Sequence, residues 1–316
     1  NLTGEIATTA AFTMSGYNLF DKTAITSVNF PNMTGSVASW AFYECKQLKT
    51  VTLGEGVTYF GTYSFFTCSA LETIQPSSFP NVTGVGEKAF QYCRALTSSL
   101  SLPSAMQINH LAFEGVACEE IPLPACTNMS GACFYGSKIK KITHSPDVQL
   151  NGDVFYTCTE LEELVPGRFR ALSGLSTSVF QECNSLKKLD FTGSTFTSLS
   201  YDSEKWLYNM EYLVLTETLG SLGDWSFERI KKADVVFRGP KPTMGDSNVF
   251  AHYNDNRNLR INIISPKEYI ASWTNANSGV TFTPLAEVDN SQKTAEYQFP
   301  TPGVGHVVGT VNFGNS

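Results

Sequence analysis

The chain has 316 residues, of which 42% are hydrophobic and 16% are charged, and its formal net charge is −7. This composition excludes a disordered chain, and an acidic balance without Lys/Arg clusters argues against nucleic acid as a partner. No apolar run approaches the roughly 20 residues that cross a bilayer, so we predict no transmembrane segment. The chain begins at Asn1 without a charged region followed by an apolar one, so we expect a mature or trimmed product.

The first 18 residues match no repeat and are rich in Ala and Thr. The first turn of a stacked structure exposes an apolar end and an unpaired edge, which proteins cover. We therefore predict an N-terminal cap over residues 1–18, with the repeats beginning at Leu19.

From residue 19 to residue 264 the sequence is periodic. Nine of the 22 Phe residues recur at a near-constant interval: Phe42, Phe65, Phe90, Phe113, Phe134, Phe155, Phe180, Phe227 and Phe250. The mean spacing is about 23 residues, and a fixed period of this size is the signature of a repeat architecture. A unit this short cannot enclose a core alone, so neighbouring units must stack.

Each unit carries a small residue before the Phe, often a Cys three residues after it, and then a short alternating apolar segment. The clearest copy contains Ala41, Phe42, Cys45, Leu48, Val51 and Leu53. Period-two alternation predicts one strand per unit. A second apolar pair, such as Val57 and Phe60 before Gly61, predicts the other wall of the coil.

The predicted fold is therefore a solenoid of about ten units with one parallel β-sheet face and a cap at each end. Units 113–134 and 134–155 are short, and the unit from Glu204 to Leu215 has Glu204 at the Phe position, so we expect irregular turns there. Residues 265–283 predict a capping segment with a short helix. The amino-acid composition changes in residues 284–316, and the sequence leaves open whether this tail packs back as an extra strand.

This pattern of small-Phe-x-x-Cys-x-x-Leu-x-x-Ile/Val-x-Leu, followed by Val-x-x-Ile/Phe-Gly, resembles the BspA-like, Treponema-type leucine-rich-repeat proteins. The resemblance covers about Leu19 to Ile264, with a weak first copy. It implies a right-handed leucine-rich-repeat coil in a cell-surface or secreted protein that acts in adhesion and protein binding without catalysis. A protein ligand, such as a host extracellular protein, is the partner that it implies, and we expect a monomer.

The eight Cys residues fall at repeat positions. Five follow the repeat Phe by three residues, and the others occupy small or apolar positions; the eight are Cys45, Cys68, Cys93, Cys118, Cys126, Cys133, Cys158 and Cys183. We interpret them as compact buried hydrophobes with free thiols. Disulfides between stacked turns stay possible by distance, whereas the lack of a C-x-x-C pair disfavours zinc.

Pairs of like charge alternate in sign from unit to unit along the predicted strands. The residues concerned are Glu119, Glu120, Lys140, Lys141, Glu162, Glu163, Lys187, Lys188, Glu211, Lys231 and Lys232. If the strands stack in register, each acidic pair lies between basic pairs, which favours that register. We favour this structural interpretation over a binding surface, because a strong ligand field needs one sign of charge.

Aromatic residues in the irregular unit form the predicted binding patch. Trp206, Tyr208 and Tyr212 lie close together in sequence, and Tyr212 interrupts the charge alternation. Such residues are enriched among binding hot spots. The alternative function is a carbohydrate-binding or scaffold component of a surface glycan-uptake system, in which these rings would form a platform for sugars.

The remaining polar motifs point to turns. Asn1, Asn32, Asn81 and Asn128 each begin an Asn-x-Ser/Thr sequence, which is either a glycan acceptor or a turn in which Asn bonds its own backbone. His110, His144, His252 and His306 are scattered and show no metal-ligand spacing. With no nucleophile elbow or phosphate loop, we predict neither catalysis nor a cofactor or metal.

Overall fold

Parallel strands from successive turns build this protein into a solenoid. The computed structural model describes residues 2–169, 172–175, 178–199, 210–223, 226–227, 230, 232–244, 249, 260–273, 280–285, 294–299 and 307–312. There are about 11 turns with almost no helix, so the predicted parallel repeat solenoid is confirmed. Within the described ranges the hydrophobic core is a single column that runs from Ile25 to Trp273.

The first side of the solenoid, here the strand wall, holds the strands that were predicted from the leucine-rich segment. They are β1 (Thr3–Ala7), β3 (Ala24–Phe30), β5 (Thr50–Leu53), β7 (Thr73–Gln75), β10 (Glu120–Leu123), β12 (Lys141–His144), β14 (Glu163–Val165), β15 (Lys188–Asp190), β17 (Tyr212–Leu215), β19 (Lys232–Phe237), β21 (Arg260–Ser265) and β22 (Val280–Pro284). They form three parallel sheets, with β1 to β7, β10 to β14 and β15 to β22 in order. Alternate residues point inward, as in β5, where Val51 and Leu53 are buried.

The second side, here the back wall, is also a parallel sheet, although the sequence predicted a sheet on one face only. Its strands are β2 (Phe12–Thr13), β4 (Met33–Val37), β6 (Gly56–Phe60), β8 (Gly84–Val85), β9 (Gln107–Ile108), β11 (Asn128–Ser130), β13 (Gln149–Asn151), β16 (Ser198–Leu199), β18 (Ser221–Leu222) and β20 (Thr243–Met244). Seven of them, β2 to β13, make one continuous sheet. Each of these strands has only two to five residues, which is too short for the alternation of apolar and polar residues to predict a strand from the sequence.

The third side, here the turn wall, is made of tight turns around the repeat Phe. The backbone N–H groups of Trp40, Phe42 and Glu44 donate to carbonyls of the next turn at 2.8–2.9 Å. Trp40 and Glu44 adopt left-handed φ angles of 61° and 53°. These angles turn every second backbone N–H group toward the next turn of the solenoid. A non-glycine residue in this region costs about 1 kcal/mol, so the inter-turn hydrogen bonds must hold it there.

The repeat Phe rings stack along the axis. From Phe20 to Phe180, eight rings follow one another with centroids 5.0–5.6 Å apart and interplanar angles of 12° or less. Phe20 is a member that the alignment missed, because its unit lacks the Cys. Phe227 is also fully buried, and Phe250 lies outside the described residues.

The repeat Cys residues form a second ladder beside the rings. The Cys68 thiol donates to the carbonyl oxygen of Phe42 at 3.0 Å, and the thiols of Cys45, Cys93, Cys158 and Cys183 make the same bond to the Phe of an earlier turn at 2.9–3.1 Å. All eight Cys residues are buried and unbridged. Burial raises the pKa of the Cys158 thiol to about 12, so the thiols stay protonated and act as donors.

Gly61 and Gly86 are required by close approach. A Cβ on Gly61 would lie 2.6 Å from the carbonyl oxygen of Val37, and one on Gly86 would lie 2.6 Å from the backbone nitrogen of Thr62. Neither glycine has a left-handed φ. In both cases the obstacle is the backbone of the preceding turn.

The irregular turns are not the ones predicted from unit length. Short units 113–134 and 134–155 contribute regular strands to both walls, with continuous register from β10 to β14, so that expectation is wrong. The strand wall instead breaks after β7 and after β14, in the two 25-residue units. Each break carries an inserted Pro-x-x-Phe, and the extra rings of Phe79 and Phe169 are buried in the core.

Further parallel strands pair with the solenoid at both ends. Strands β1 and β2 pair in parallel with β3 and β4, and the Phe12 ring covers Phe30 at 5.1 Å. Beyond β21 the predicted short helix is α1 (Lys267–Ile270), and Trp273 packs on Phe237 at 4.6 Å. The chain then adds β22 in parallel. In the tail, β23 (Thr294–Phe299) and β24 (Val307–Asn312) pair antiparallel.

Replacing Phe113 by Ala should lower the free energy of unfolding by about 3–5 kcal/mol, because the ring is fully buried between Phe90 and Phe134. Urea denaturation followed by circular dichroism measures the change. Tyr17→Ala, at a side chain that is 75% exposed, is the control and should shift stability by less than about 0.5 kcal/mol. A loss below about 1 kcal/mol for Phe113→Ala would contradict the structural role of the stack.

His144 is a buried titratable group in the core. Its ring stacks on Phe169 at 4.8 Å, Nδ1 donates to the carbonyl oxygen of Ser145 at 2.7 Å, and Nε2 is buried without a hydrogen-bond partner. Burial lowers the pKa of His144 from its ordinary value. The folded state therefore holds the neutral ring, and protonation favours unfolding.

We expect stability to fall as the pH drops below about 6.5, the ordinary pKa at which an unfolded His binds a proton. His144→Leu should remove this part of the pH dependence, because a Leu side chain does not titrate. Leu123 already occupies the paired position on the neighbouring strand, so the core accepts a Leu there. The measurement is the difference in unfolding free energy between pH 7.5 and pH 5.0 for both proteins. Equal differences in the two proteins would refute the assignment.

Candidate functional site

Aromatic side chains form a row along the outside of the turn wall. The row contains Trp40, Tyr43, Tyr63, Phe66, Tyr92, Tyr135 and Tyr156, all of them partly exposed or exposed. They occupy the positions two before, one after or two after the repeat Phe. Since each repeat position recurs on the neighbouring turn, these residues become neighbours although they are about 20 residues apart in sequence.

The rings in the first half of the row stack face to face. Trp40 and Tyr63 are 4.2 Å apart at 15°, and Tyr43 and Phe66 are 4.9 Å apart at 7°. The ammonium group of Lys88 lies 5.0 Å from the Tyr63 centroid, at the hydroxyl end of the ring, and that of Lys22 lies 5.4 Å from the Tyr43 centroid. A stacked ring therefore covers one face of each of these two tyrosines, and a cation lies close to each ring.

The surroundings of the row raise the pKa values of Tyr43 and Lys88. Desolvation, followed by the hydrogen bond and charge of Glu44, raises the pKa of the Tyr43 hydroxyl. The hydrogen bond from Lys88 to the Tyr63 hydroxyl, 2.8 Å long, raises the pKa of Lys88. The row therefore carries a protonated phenol at Tyr43 and a protonated amine at Lys88, in a chain whose net charge is negative.

A buried carboxylate connects the two halves of the row. Glu114 is 8% exposed and accepts a hydrogen bond from the Gln91 side chain. Its bond with Tyr92 raises the pKa of that phenol. Arg94 lies 5.1 Å over the Tyr92 ring, and Tyr135 and Tyr156 then stack at 5.1 Å. The aromatic row thus crosses several consecutive turns with little interruption.

The predicted binding patch is not assembled by the described residues. Trp206 and Tyr208 lie outside them. Tyr212 is on the strand wall, where β17 places it opposite Lys188 on one side and Asp234 on the other. It therefore lies on a different side of the solenoid from the aromatic row.

The alternating charges are in register over the middle of the strand wall. Glu120 lies opposite Lys141, and Lys141 lies opposite Glu163. Ion pairs join Lys140 to Glu119 at 2.7 Å and Lys141 to Glu163 at 3.3 Å. One position earlier along these strands, the backbone N–H of Glu162 donates to the carbonyl oxygen of Lys140, and the backbone N–H of Glu211 donates to the carbonyl oxygen of Lys187.

The alternation fails in the last turns. Tyr212 lies opposite Asp234, so Lys232 falls two positions away and pairs with Arg260 on β21, a residue of like charge. Glu211 therefore keeps Lys187 as its neighbour on one side, but on the other side the register does not bring Lys232 opposite Glu211 or Tyr212, and Lys231 lies outside the described residues. Here the outward side chains Val214, Val236 and Ile264 form a small apolar cluster of their own.

The sequon asparagines bond neighbouring turns rather than their own backbone. Asn32 Nδ2 donates to the Thr9 carbonyl at 2.7 Å, and Asn81 Nδ2 donates to the Glu55 carbonyl at 3.0 Å. Asn128 Oδ1 accepts from Asn151 at 3.0 Å, and Asn1 lies outside the described residues. These side chains therefore link turns, which corrects the turn interpretation.

The described ranges contain no group of three or more His, Cys, Asp or Glu side chains placed to hold a metal ion. His110 is exposed on the back-wall side and His144 is buried in the core, while His252 and His306 fall outside those ranges. Among the same residues, no helix has the length and apolar character needed to cross a bilayer.

Sequence reasoning missed the aromatic row, although its signal is in the same alignment. Aromatic residues recur beside the repeat Phe in several units, but each one alone looks like an isolated surface residue. Grouping residues by repeat position rather than by sequence distance would have found them.

Solved structures of leucine-rich-repeat proteins resemble this fold at low identity. A leucine-rich repeat protein from Bacteroides ovatus is 15% identical over 90% of this chain and 92% of its own, with a TM-score of 0.40. A leucine rich cell surface protein from Faecalibacterium prausnitzii is 18% identical over 75% and 81%, with a TM-score of 0.46. The pneumococcal vaccine antigen PcpA is 12% identical over 90% and 89%, with a TM-score of 0.31.

A search of the curated proteins gives no match. The family described as the BspA type leucine rich repeat region matches in six copies, over residues 13–139, 83–205 and 174–282. These matches span the stacked Phe rings, the Cys ladder and both walls. The chain belongs to the BspA-type leucine-rich-repeat family.

Proposed function

We propose that this protein is a non-catalytic binding module, on the cell surface or secreted, which engages a protein partner through the aromatic row of its turn wall. The observation that carries the proposal is the row itself, a set of partly exposed Trp, Tyr and Phe rings on a rigid backbone ladder. Residues of these types dominate the energetics of protein interfaces.

The geometry of the row favours a protein partner over a sugar in this place. A sugar ring stacks on the flat face of an aromatic ring, and one face of Tyr43 and one face of Tyr63 are already covered by a stacked ring, with a cation beside each tyrosine. A protein partner can instead pack against the ring edges and accept hydrogen bonds from the hydroxyls. The rings are held by stacking before binding, so little side-chain entropy is lost on association.

The length of the row suits an extended segment or a helix of the partner. From Tyr43 to Tyr156 the row crosses turns spaced about 5 Å apart, for a total of about 25 Å. We propose an adhesive role toward host extracellular proteins, as the family resemblance implies. The strand-wall charges are a weaker candidate, because Glu119, Lys140, Lys141 and Glu163 neutralise one another in pairs.

The test is surface plasmon resonance of the chain against a panel of purified host extracellular matrix proteins. Tyr63→Ala should weaken binding to any ligand found by at least about tenfold, because it removes a central ring of the row. Tyr59→Ala, a matched substitution on the back wall, should leave that affinity unchanged. Both variants are first compared with the parent protein by circular dichroism and urea denaturation.

Two outcomes contradict the proposal. One is that no protein of the panel binds at about 10 μM, a concentration that detects even weak adhesion. The other is that Tyr59→Ala and Tyr63→Ala reduce binding equally, which would place the contact away from the turn wall.

A further inference from the structure

The back wall differs from the strand wall in carrying no charge. The seven strands from β2 to β13 contain no Asp, Glu, Lys or Arg. The polar side chains of this sheet are hydroxyls and amides: Thr13, Thr34, Ser36, Thr58, Tyr59, Gln107, Asn128, Ser130, Gln149 and Asn151. A continuous wall of neutral donors and acceptors suits an uncharged ligand that is rich in hydroxyl groups.

Tyr59 is the one aromatic residue among those polar groups, and its ring lies along the wall. The next turn has Gly84 beside it, and a Cβ there would lie 3.2 Å from Tyr59 Cε2. Two turns on, Asn109 Nδ2 donates to the Tyr59 hydroxyl at 3.4 Å and to the Val85 carbonyl at 3.0 Å. A side chain that reaches this far past Gly84 must lie across it, with one ring face toward the wall.

The neighbours of the ring are groups that recognise sugars. Gln107 is exposed and packs beside Gly84, while Thr58 and Thr83 are exposed at the edge of the same region. An aromatic face binds the apolar side of a sugar ring, and a few placed amides and hydroxyls orient its hydroxyl groups. Tyr59 differs here from Tyr43 and Tyr63, each of which has one face covered by a stacked aromatic ring.

We propose that the back wall holds a binding site for a neutral saccharide, with Tyr59 as the stacking platform and Gln107 and Asn109 as hydrogen-bonding partners. Asn128 and Gln149 follow Gln107 in register on β11 and β13, so a linear glycan can extend along the solenoid axis. This site is separate from the aromatic row, and it stands whether or not the turn wall binds protein.

The experiment is a neutral-glycan array, followed by NMR titration of the chain with hexasaccharides of glucose, mannose or galactose that score on it. Tyr59→Ala should weaken binding by at least about tenfold, while Tyr59→Phe keeps the ring and should stay within about threefold. Gly84→Ala should also weaken binding, because its Cβ pushes against the ring without removing it.

Tyr63→Ala, in the aromatic row, is the control and should leave glycan binding unchanged. A loss of glycan binding at the back wall is therefore distinguishable from a loss of protein binding at the turn wall. Gly84 has no left-handed φ, so Ala fits its backbone; if this variant unfolds, the two Tyr59 variants still decide the result. The proposal is overturned if no neutral glycan binds at about 1 mM, or if Tyr59→Ala binds as the parent does. Preferential binding of anionic glycans would also overturn it.

Discussion

Stacking between turns is the interaction on which the whole structure depends. No turn has a core of its own, so each repeat Phe ring packs against the rings of the turns above and below it, as Phe113 packs between Phe90 and Phe134. The Cys thiols and the turn-wall N–H groups bond in the same axial direction. Stability therefore comes from contacts between neighbours, as in other one-dimensional repeat proteins.

This constraint explains features that would be unfavourable in isolation. Left-handed residues such as Trp40 and Glu44 align the backbone donors with the next turn, and Gly61 and Gly86 let adjacent backbones approach. The regular backbone also favours binding, because it holds the outward-pointing side chains in fixed positions. Trp40 stacks on Tyr63, and Tyr59 lies across Gly84, for reasons set by the backbone ladder rather than by any ligand.

Some sequence-based expectations failed because unit length and strand register are set by different residues. The short units after Phe113 and Phe134 shorten only their connections, so their strands stay regular. Each long unit contains one additional Phe after its strand, either Phe79 or Phe169, and this insertion interrupts the strand wall. Likewise, repeat position aligned Lys231 and Lys232 with Glu211 and Tyr212, but in the structure Asp234 is the residue opposite Tyr212.

The sequence by itself determined the solenoid, its period and the buried Phe and Cys positions, because these follow from a repeated apolar pattern that only stacking can bury. It also placed the alternating charges of the middle turns. Only the tertiary structure decided that the back wall is a sheet, that Trp40, Tyr43, Tyr63 and Phe66 form one surface, and that Tyr59 lies over Gly84. Those contacts join residues about one repeat apart, and periodicity reveals which positions recur but not which way their side chains lie.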